Sequence, residues 1–193
     1  MTKDAHDREQ ELQQLLDKAA IREATMRYCR GVDRFDADLI SSVYHPDAFD
    51  DHSGRTFTGD TVGQGLVDWL TEGTDATNHH ITTQTIEING DTAGCESYYI
   101  GVHLLTRDGV QRTVHSAGRY IDRFEKRDGQ WKIARRLVAL EKATYLPADT
   151  APQPAPVGRR DHQDPSYEVM HDRGAGSLCP CPRQTRPSWL AAT

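Results

Sequence analysis

Tyr28, Asp33, the pair His79-His80 and the pair Arg135-Arg136 are the side chains whose types and spacing could carry proton-transfer chemistry. Asp33 follows Tyr28 by five residues and stands just past Gly31, where an apolar helical pattern ends. An aspartate there can cap the next helix as a turn residue. It can equally project into a cavity mouth and orient a histidine, fixing one imidazole tautomer and raising the basicity of the other nitrogen. Two histidines are available at the start of "HHITTQTIEING". Neighbouring strand side chains point to opposite faces, so His79 and His80 cannot look into one cavity. His80 shares parity with Ile86 and Ile88, which mark the buried face by simple alternation, and one bulge would invert that assignment. Arg135 and Arg136 in "GQWKIARRLVAL" also differ in parity, so one points inward. A buried guanidinium needs a carboxylate partner or negative charge developing in a transition state.

Other polar groups widen the set. Cys95, Ser97, Tyr99 and His103 share one face of a strand and line either a polar pocket or an outer surface. His45, Asp47, Asp50, Asp51 and His52 could join His79 or His80 in a site of two histidines and a carboxylate. No H-x-H, H-E-x-x-H or zinc-spaced cysteine pair supports that, and no metal or cofactor is expected. Cys179 and Cys181 are too close for ordinary disulfide geometry and read as tail residues. There is no phosphate-binding glycine loop and no G-x-S-x-G nucleophile turn.

The elements that must position these groups come in two blocks. Residues 8–30 place Leu12, Leu15, Leu16, Ala19, Ile21, Ala24 and Tyr28 at helical spacing, with Gly31 as a left-handed cap. Asp36 or Asp38 caps a short second helix running to about Tyr44, a hairpin turns at Gly54, and a third helix spans Thr61 to Leu70 with Asp60 as cap. After residue 78, β-branched and aromatic segments are separated by Asn89-Gly90, Asp108-Gly109 and Asp128-Gly129. These are hairpin signals, because both central residues of such turns take positive φ. They predict four antiparallel strands over 79–88, 92–106, 110–126 and 130–145, a curved meander packed on the N-terminal helices. The fold class is α+β, with a pocket between sheet and helices.

Composition sets the frame. Seven of the nine prolines fall in residues 151–193, which lack helix or strand periodicity. The predicted organisation is a folded domain over 1–147 and an extended Pro-rich tail over 148–193, ordered where it docks. A net charge of −6 argues against nucleic acid as partner. No apolar run is long enough for a membrane span, and the polar N-terminus is not a secretory signal. Cys29 and Cys95 read as buried free thiols, which predicts a cytoplasmic, reducing setting.

Three stretches carry a resemblance: "LLDKAAIREATMRYCRGVDRFDADLISSVYHPDAFDDHSG", "HHITTQTIEINGDTA" and "GRYIDRFEKRDGQWKIARRLVALE". Together, over about residues 10–147, they resemble the SnoaL-like branch of the nuclear transport factor 2-like superfamily, the branch that includes hexachlorocyclohexane dehydrochlorinase and bile acid 7α-dehydratase. The resemblance implies a cone-shaped α+β barrel and an Asp–His dyad that abstracts a proton while an arginine assists the leaving group. The family aspartate lies in a G-V-D that matches Gly31-Val32-Asp33. The family histidine lies eight residues before a strand glutamate, which from Glu87 gives His79. The family arginine lies five residues after a strand tryptophan, which from Trp131 gives Arg136, and Tyr28 corresponds to a tyrosine or lysine of the family site. Thr83 departs from the family, where an asparagine often stands. The resemblance thus implies catalytic Asp33, His79, Arg136 and Tyr28, with His80, Tyr99 and His103 expected to bind substrate. The expected activity is a cofactor-independent lyase, dehydratase or dehydrohalogenase, acting on a hydrophobic cyclic small molecule. The alternatives are an isomerase or polyketide cyclase with the same dyad, or a non-catalytic binding or accessory subunit. A homo-oligomer, trimer or dimer, is expected through the outer sheet face, with the "GRRDHQDPSYE" part of the tail wrapping onto a neighbour.

Overall fold

The computed structural model describes residues 5–148 and 158–167. Helix α1 (Ala5–Arg34) leads to α2 (Ala37–Ser42), a hairpin of β1 (Tyr44–His52) and β2 (Arg55–Thr58), and α3 (Val62–Gly73). Four long strands follow: β3 (Ala76–Asn89), β4 (Thr92–Arg107), β5 (Val110–Arg127) and β6 (Gln130–Pro147). All six strands form one sheet in the order β2-β1-β6-β5-β4-β3. The α+β class and the long meander stand as expected from the sequence. The sheet is mixed rather than wholly antiparallel, because β1 pairs parallel to β6. No hairpin links those two strands, so nothing forces a reversal of direction. It is also open rather than closed, with β2 and β3 at its edges.

Local chemistry explains most boundaries. Asp108-Gly109 and Asp128-Gly129 each hold two residues at positive φ, which suits two-residue turns between twisted strands. The first hairpin differs: Asn89 pairs with Thr92, so the loop is Gly90-Asp91 and Gly90 alone has positive φ. Asp36 caps α2 by accepting from the Leu39 N–H. Thr61, not Asp60, precedes α3.

Two expectations about α1 change. Gly31 is not a left-handed cap but lies within the helix, and Phe35 takes the positive φ. A Cβ on Gly31 would come within 2.8 Å of the Ile40 side chain, so the glycine serves close approach of α1 and α2. The apolar stripe also divides. Leu12, Leu15 and Leu16 are more than half exposed, whereas Ile21, Ala24 and Tyr28 are fully buried. The helix joins the core at Asp17, which accepts from the Trp131 indole N–H at 2.8 Å and from Lys126 at 3.0 Å.

The core lies between the helices and the inner sheet face, with Val32, Ile40, Leu66, Phe124 and Ile133 among its members. At its centre is an ion. Arg136 on β6 is fully buried, directly opposite Asp122 on β5, and donates to both carboxylate oxygens at 2.7 Å. The Tyr28 and Tyr120 ring centroids lie 4.1 and 4.4 Å from its guanidinium carbon. Removing one partner of such a pair strands the other in a medium that cannot solvate it. Asp122→Ala is therefore expected to lower stability by about 3–5 kcal/mol in urea unfolding. A loss well under 1 kcal/mol, at the level of about a surface pair, would contradict this account.

Candidate active site

Asp33 sits in the last turn of α1 and uses both oxygens on one residue. Oδ1 accepts from His79 Nδ1–H at 2.7 Å, and Oδ2 accepts from the His79 backbone N–H at 3.0 Å. The backbone bond fixes where the strand meets the helix end, and the side-chain bond fixes the ring. With Nδ1 as donor, the Nε2 lone pair is the free basic position. Nε2 has no hydrogen-bond partner among the described residues.

His79 faces inward because β3 carries a bulge. Ile81 pairs with Tyr99 and Thr83 with Tyr98, which leaves Thr82 as the extra residue. Ile86 keeps its buried place beyond the bulge, while before it the inward positions are Thr77 and His79. His80 is corrected by the same observation: it is exposed and lines no part of the cavity. Continuing the Ile86–Ile88 alternation through Thr82 would have placed the wrong histidine inside.

The cavity measures about 330 Å³ and lies between α1, α3 and the sheet. Its walls are mainly apolar and aromatic, with Val32, Leu66, Trp69, Leu70, Tyr99 and Tyr120 among them. His79, His103, Ser116 and Tyr28 bring polar atoms to it. Ser116 donates to the Gly101 carbonyl at 3.2 Å, so its oxygen is left to accept from His103 Nε2–H at 3.3 Å. His103 Nδ1 then accepts from the Thr77 hydroxyl at 3.0 Å. This chain is satisfied by a neutral imidazole. Burial, reinforced by the neighbouring His79, lowers the His103 pKa to about 4.

Tyr28 lines the cavity, and its buried hydroxyl has no hydrogen-bond partner among the described residues. Burial pushes that phenol well above its usual range, against the pull of Arg136. Tyr99 also lines the cavity and stacks on Tyr120 at 4.5 Å. Arg136 is placed differently from the expectation of direct assistance to a leaving group. It lies behind Tyr28 and Tyr120, does not line the cavity, and is held by Asp122. Its third nitrogen, Nη1, donates to the Tyr44 hydroxyl at 3.2 Å, which donates to Asp50. His52 bonds Asp50 at 3.3 Å and lines the cavity, so a polar chain joins the buried ion to the pocket wall.

Sequence reasoning missed Tyr120, Ser116 and Asp122. The signal was present in "SAGRYIDRF", where Ser116, Gly118, Tyr120, Asp122 and Phe124 alternate onto one buried face. The residues weighed as metal ligands are otherwise engaged: His45 with the Glu125 carbonyl, Asp47 with Arg127, and Asp51 with the Gly54 N–H. Among the described residues no group of three or more His, Cys, Asp or Glu side chains could hold a metal. Cys179 and Cys181 lie outside the described residues.

Residues 158–167 pack on their own chain around the helix end that bears Asp33. Asp164 faces Arg34 at 3.3 Å, Ser166 accepts from Arg30, and Tyr167 donates to Asp36 at 2.8 Å. Arg160 lies 3.4 Å over the Phe35 ring and donates to the Thr74 carbonyl and hydroxyl. Burial lowers the Arg160 pKa.

The helix end and the bulged strand of this α+β domain thus set a carboxylate-held histidine beside an open, mainly apolar cavity, the kind of concave site that small molecules occupy. The profile of the SnoaL-like domain matches residues 13–137, and the chain belongs to this family of the nuclear transport factor 2-like superfamily. Among solved structures it is similar to a type 2 hexachlorocyclohexane dehydrochlorinase, LinA, at 22% identity, covering 76% of this chain and 99% of that one, with a TM-score of 0.68. A LinA type 3 enzyme from Novosphingobium barchaimii matches at 22% identity, 75% and 99% coverage and a TM-score of 0.69. A scytalone dehydratase-like protein from Novosphingobium aromaticivorans matches at 21% identity, 76% and 97% coverage and a TM-score of 0.60. At these identities the likeness is one of fold. No helix among the described residues is long and apolar enough to cross a membrane.

The neutral His103 has a consequence for pH. Between pH 6.5 and about 4 the unfolded chain binds a proton at this residue that the folded chain does not, so stability falls as pH drops through that window. The contribution is on the order of 3 kcal/mol across the window. Urea midpoints measured at several pH values should show this slope in the parent and a flatter one in His103→Gln. Equal slopes would overturn the assignment.

Proposed function

We propose that this protein is a lyase of the dehydratase or dehydrohalogenase type, acting on a hydrophobic cyclic small molecule without a cofactor. The observation that carries the reading is the two-point grip of Asp33 on His79, which leaves Nε2 free beside an apolar cavity. His79 Nε2 removes a proton from a ring carbon, and Asp33 stabilises the imidazolium that forms. The C–H electron pair becomes the new double bond as the neighbouring bond to hydroxyl or halide breaks. A departing hydroxyl takes the Tyr28 phenol proton and leaves as water, after which the His79 imidazolium returns a proton to the phenolate; a halide leaves with the bonding pair while Tyr28 donates a hydrogen bond to it. Arg136, stacked on the Tyr28 ring, favours negative charge on that phenol from behind. Tyr99 and His103 shape the wall against which the ring lies. The matched dehydrochlorinase and dehydratase-like structures support an elimination by their names, and the SnoaL-like family membership supports a small-molecule site.

The exposed Tyr98, Ile100, Ile121 and Leu137 on the outer sheet face support self-association, the partner role proposed for this surface.

The test is a screen of hydroxylated and halogenated cyclic compounds, read by loss of water or halide. His79→Gln and Asp33→Asn are each expected to lower turnover by about 10²–10⁴-fold with the fold intact by circular dichroism. His80→Gln should leave it unchanged. Activity that survives His79→Gln but not His80→Gln would overturn the base assignment, and a product of unchanged mass would mark an isomerase instead.

A further inference from the structure

The charge distribution around the cavity names the ligand more narrowly than the dyad does. Among the described residues, the ionic side chains that line it besides its histidines are Arg55 and Arg107, and no aspartate or glutamate does so. This is a biased surface in a chain of net charge −6, where acids outnumber bases. The nearest carboxylate in the proposed chemistry, Asp33, has both oxygens engaged by His79. Among the described residues neither arginine has a carboxylate partner, and the ion pairs join other side chains.

Arg55 follows the β1–β2 turn, and Arg107 precedes the β4–β5 turn. Both are exposed, at the open side of a cavity whose inner wall is aromatic and aliphatic. The Arg55 guanidinium carbon lies 5.0 Å from the Trp69 ring centroid, so its plane is steadied while its N–H groups stay available. Arg107, Leu105 and Tyr145 also line an adjoining hollow of about 280 Å³, together with Arg112, Val110 and Asp108. That hollow carries two guanidinium groups against one carboxylate. An unpaired guanidinium presents a planar fork of donors that matches a carboxylate in two-point fashion.

We propose that the substrate is an amphiphilic carboxylic acid, its apolar ring held within the cavity and its carboxylate held at the mouth by Arg55 and Arg107. This rests on the lyase reading only for the word substrate, since the charge pattern concerns binding. It also sets the direction of entry: the acid end stays at the mouth and the ring carbon is delivered towards His79.

The experiment is calorimetric binding of naphthoate and of its methyl ester to the full chain at about pH 7.5 and low salt. Neither probe has a leaving group, so binding is read apart from turnover. Naphthoate is expected to bind about tenfold more tightly than the ester, with the preference shrinking in about 0.5 M salt. Arg55→Gln with Arg107→Gln should reduce the preference to about twofold or less while ester affinity is kept. Equal or tighter binding of the ester, or a preference that survives the double variant, overturns the proposal. Turnover of matched cyclic hydroxy acids and their esters separates this failure from that of the lyase reading. Acid-selective binding without turnover of either series tells against the lyase alone. Turnover that is faster on the esters tells against the carboxylate alone.

Discussion

A guanidinium buried among tyrosines is the constraint around which this domain is arranged. Arg136 is fully buried, and a charge in that position must be neutralised and hydrogen-bonded. The sheet supplies what it needs by register. Asp122 faces it from β5, and Asp50 is its partner position on the parallel β1. The Tyr44 hydroxyl, at the start of β1, bridges the two by accepting from Arg136 and donating to Asp50. The mixed topology is thus tied to the ion: without β1 parallel to β6, the third side of the guanidinium would face no acceptor. The ring faces then follow, with Tyr28 from α1 and Tyr120 from β5 closing over it. Tyr99 stacks on Tyr120 and forms cavity wall, so the buried charge and the pocket share a layer of aromatic rings.

The helix end carrying Asp33 is held from two sides. On the inner side Asp33 binds the backbone and ring of His79. On the other side residues 158–167 engage Arg30, Arg34, Phe35 and Asp36, the residues that flank Asp33 in sequence. Asp164 organises this segment. Its carboxylate accepts from the Arg159 and Ser166 N–H groups and the Ser166 hydroxyl, and these bonds hold its pKa at about 2 despite burial. A carboxylate that must keep one histidine tautomer in place benefits from a backbone that does not fray. Phe35, with its positive φ immediately after the helix, is the place where fraying would begin, and Arg160 stacks there.

Much of this was legible in the sequence where the physics is local. The Asp-Gly turns, the period of the meander strands and the capping aspartate each depend on a few adjacent residues. What alternation could not give was the face of His79, because the Thr82 bulge resets parity midway along β3. Only the spacing from Glu87, carried by the family resemblance, reached the inward histidine. The exposed Leu12, Leu15 and Leu16 show the opposite failure: helical spacing was right, but it does not say how much of a 30-residue helix meets the sheet. Arg136 was legible as a buried cation, yet its partner Asp122 is fourteen residues away on another strand, and pairing at that range needs the register.

The strand β4 shows why a binding fold resists reading by hydrophobicity alone. Its inward residues are Cys95, Ser97, Tyr99, Gly101 and His103, while Tyr98 and Ile100 point outward and are exposed. In a domain with a filled core the greasier set would face the helices. Here the inner face must leave a cavity of about 330 Å³ and bring hydrogen-bonding atoms to it, so small and polar side chains take the inner positions. The apolar set is displaced to the outer face, where Ile100 is opposed by Ala117 and Tyr98 by Arg119 on β5, and Ile121 of β5 faces Leu137 on β6. The same demand places Gly118 inside, since a Cβ there would come within 2.9 Å of the Tyr99 hydroxyl and 2.3 Å of the Ala139 carbonyl. Inverted polarity across the sheet is therefore a mark of the pocket itself, and it follows from the volume and polarity of the cavity rather than from any single side chain.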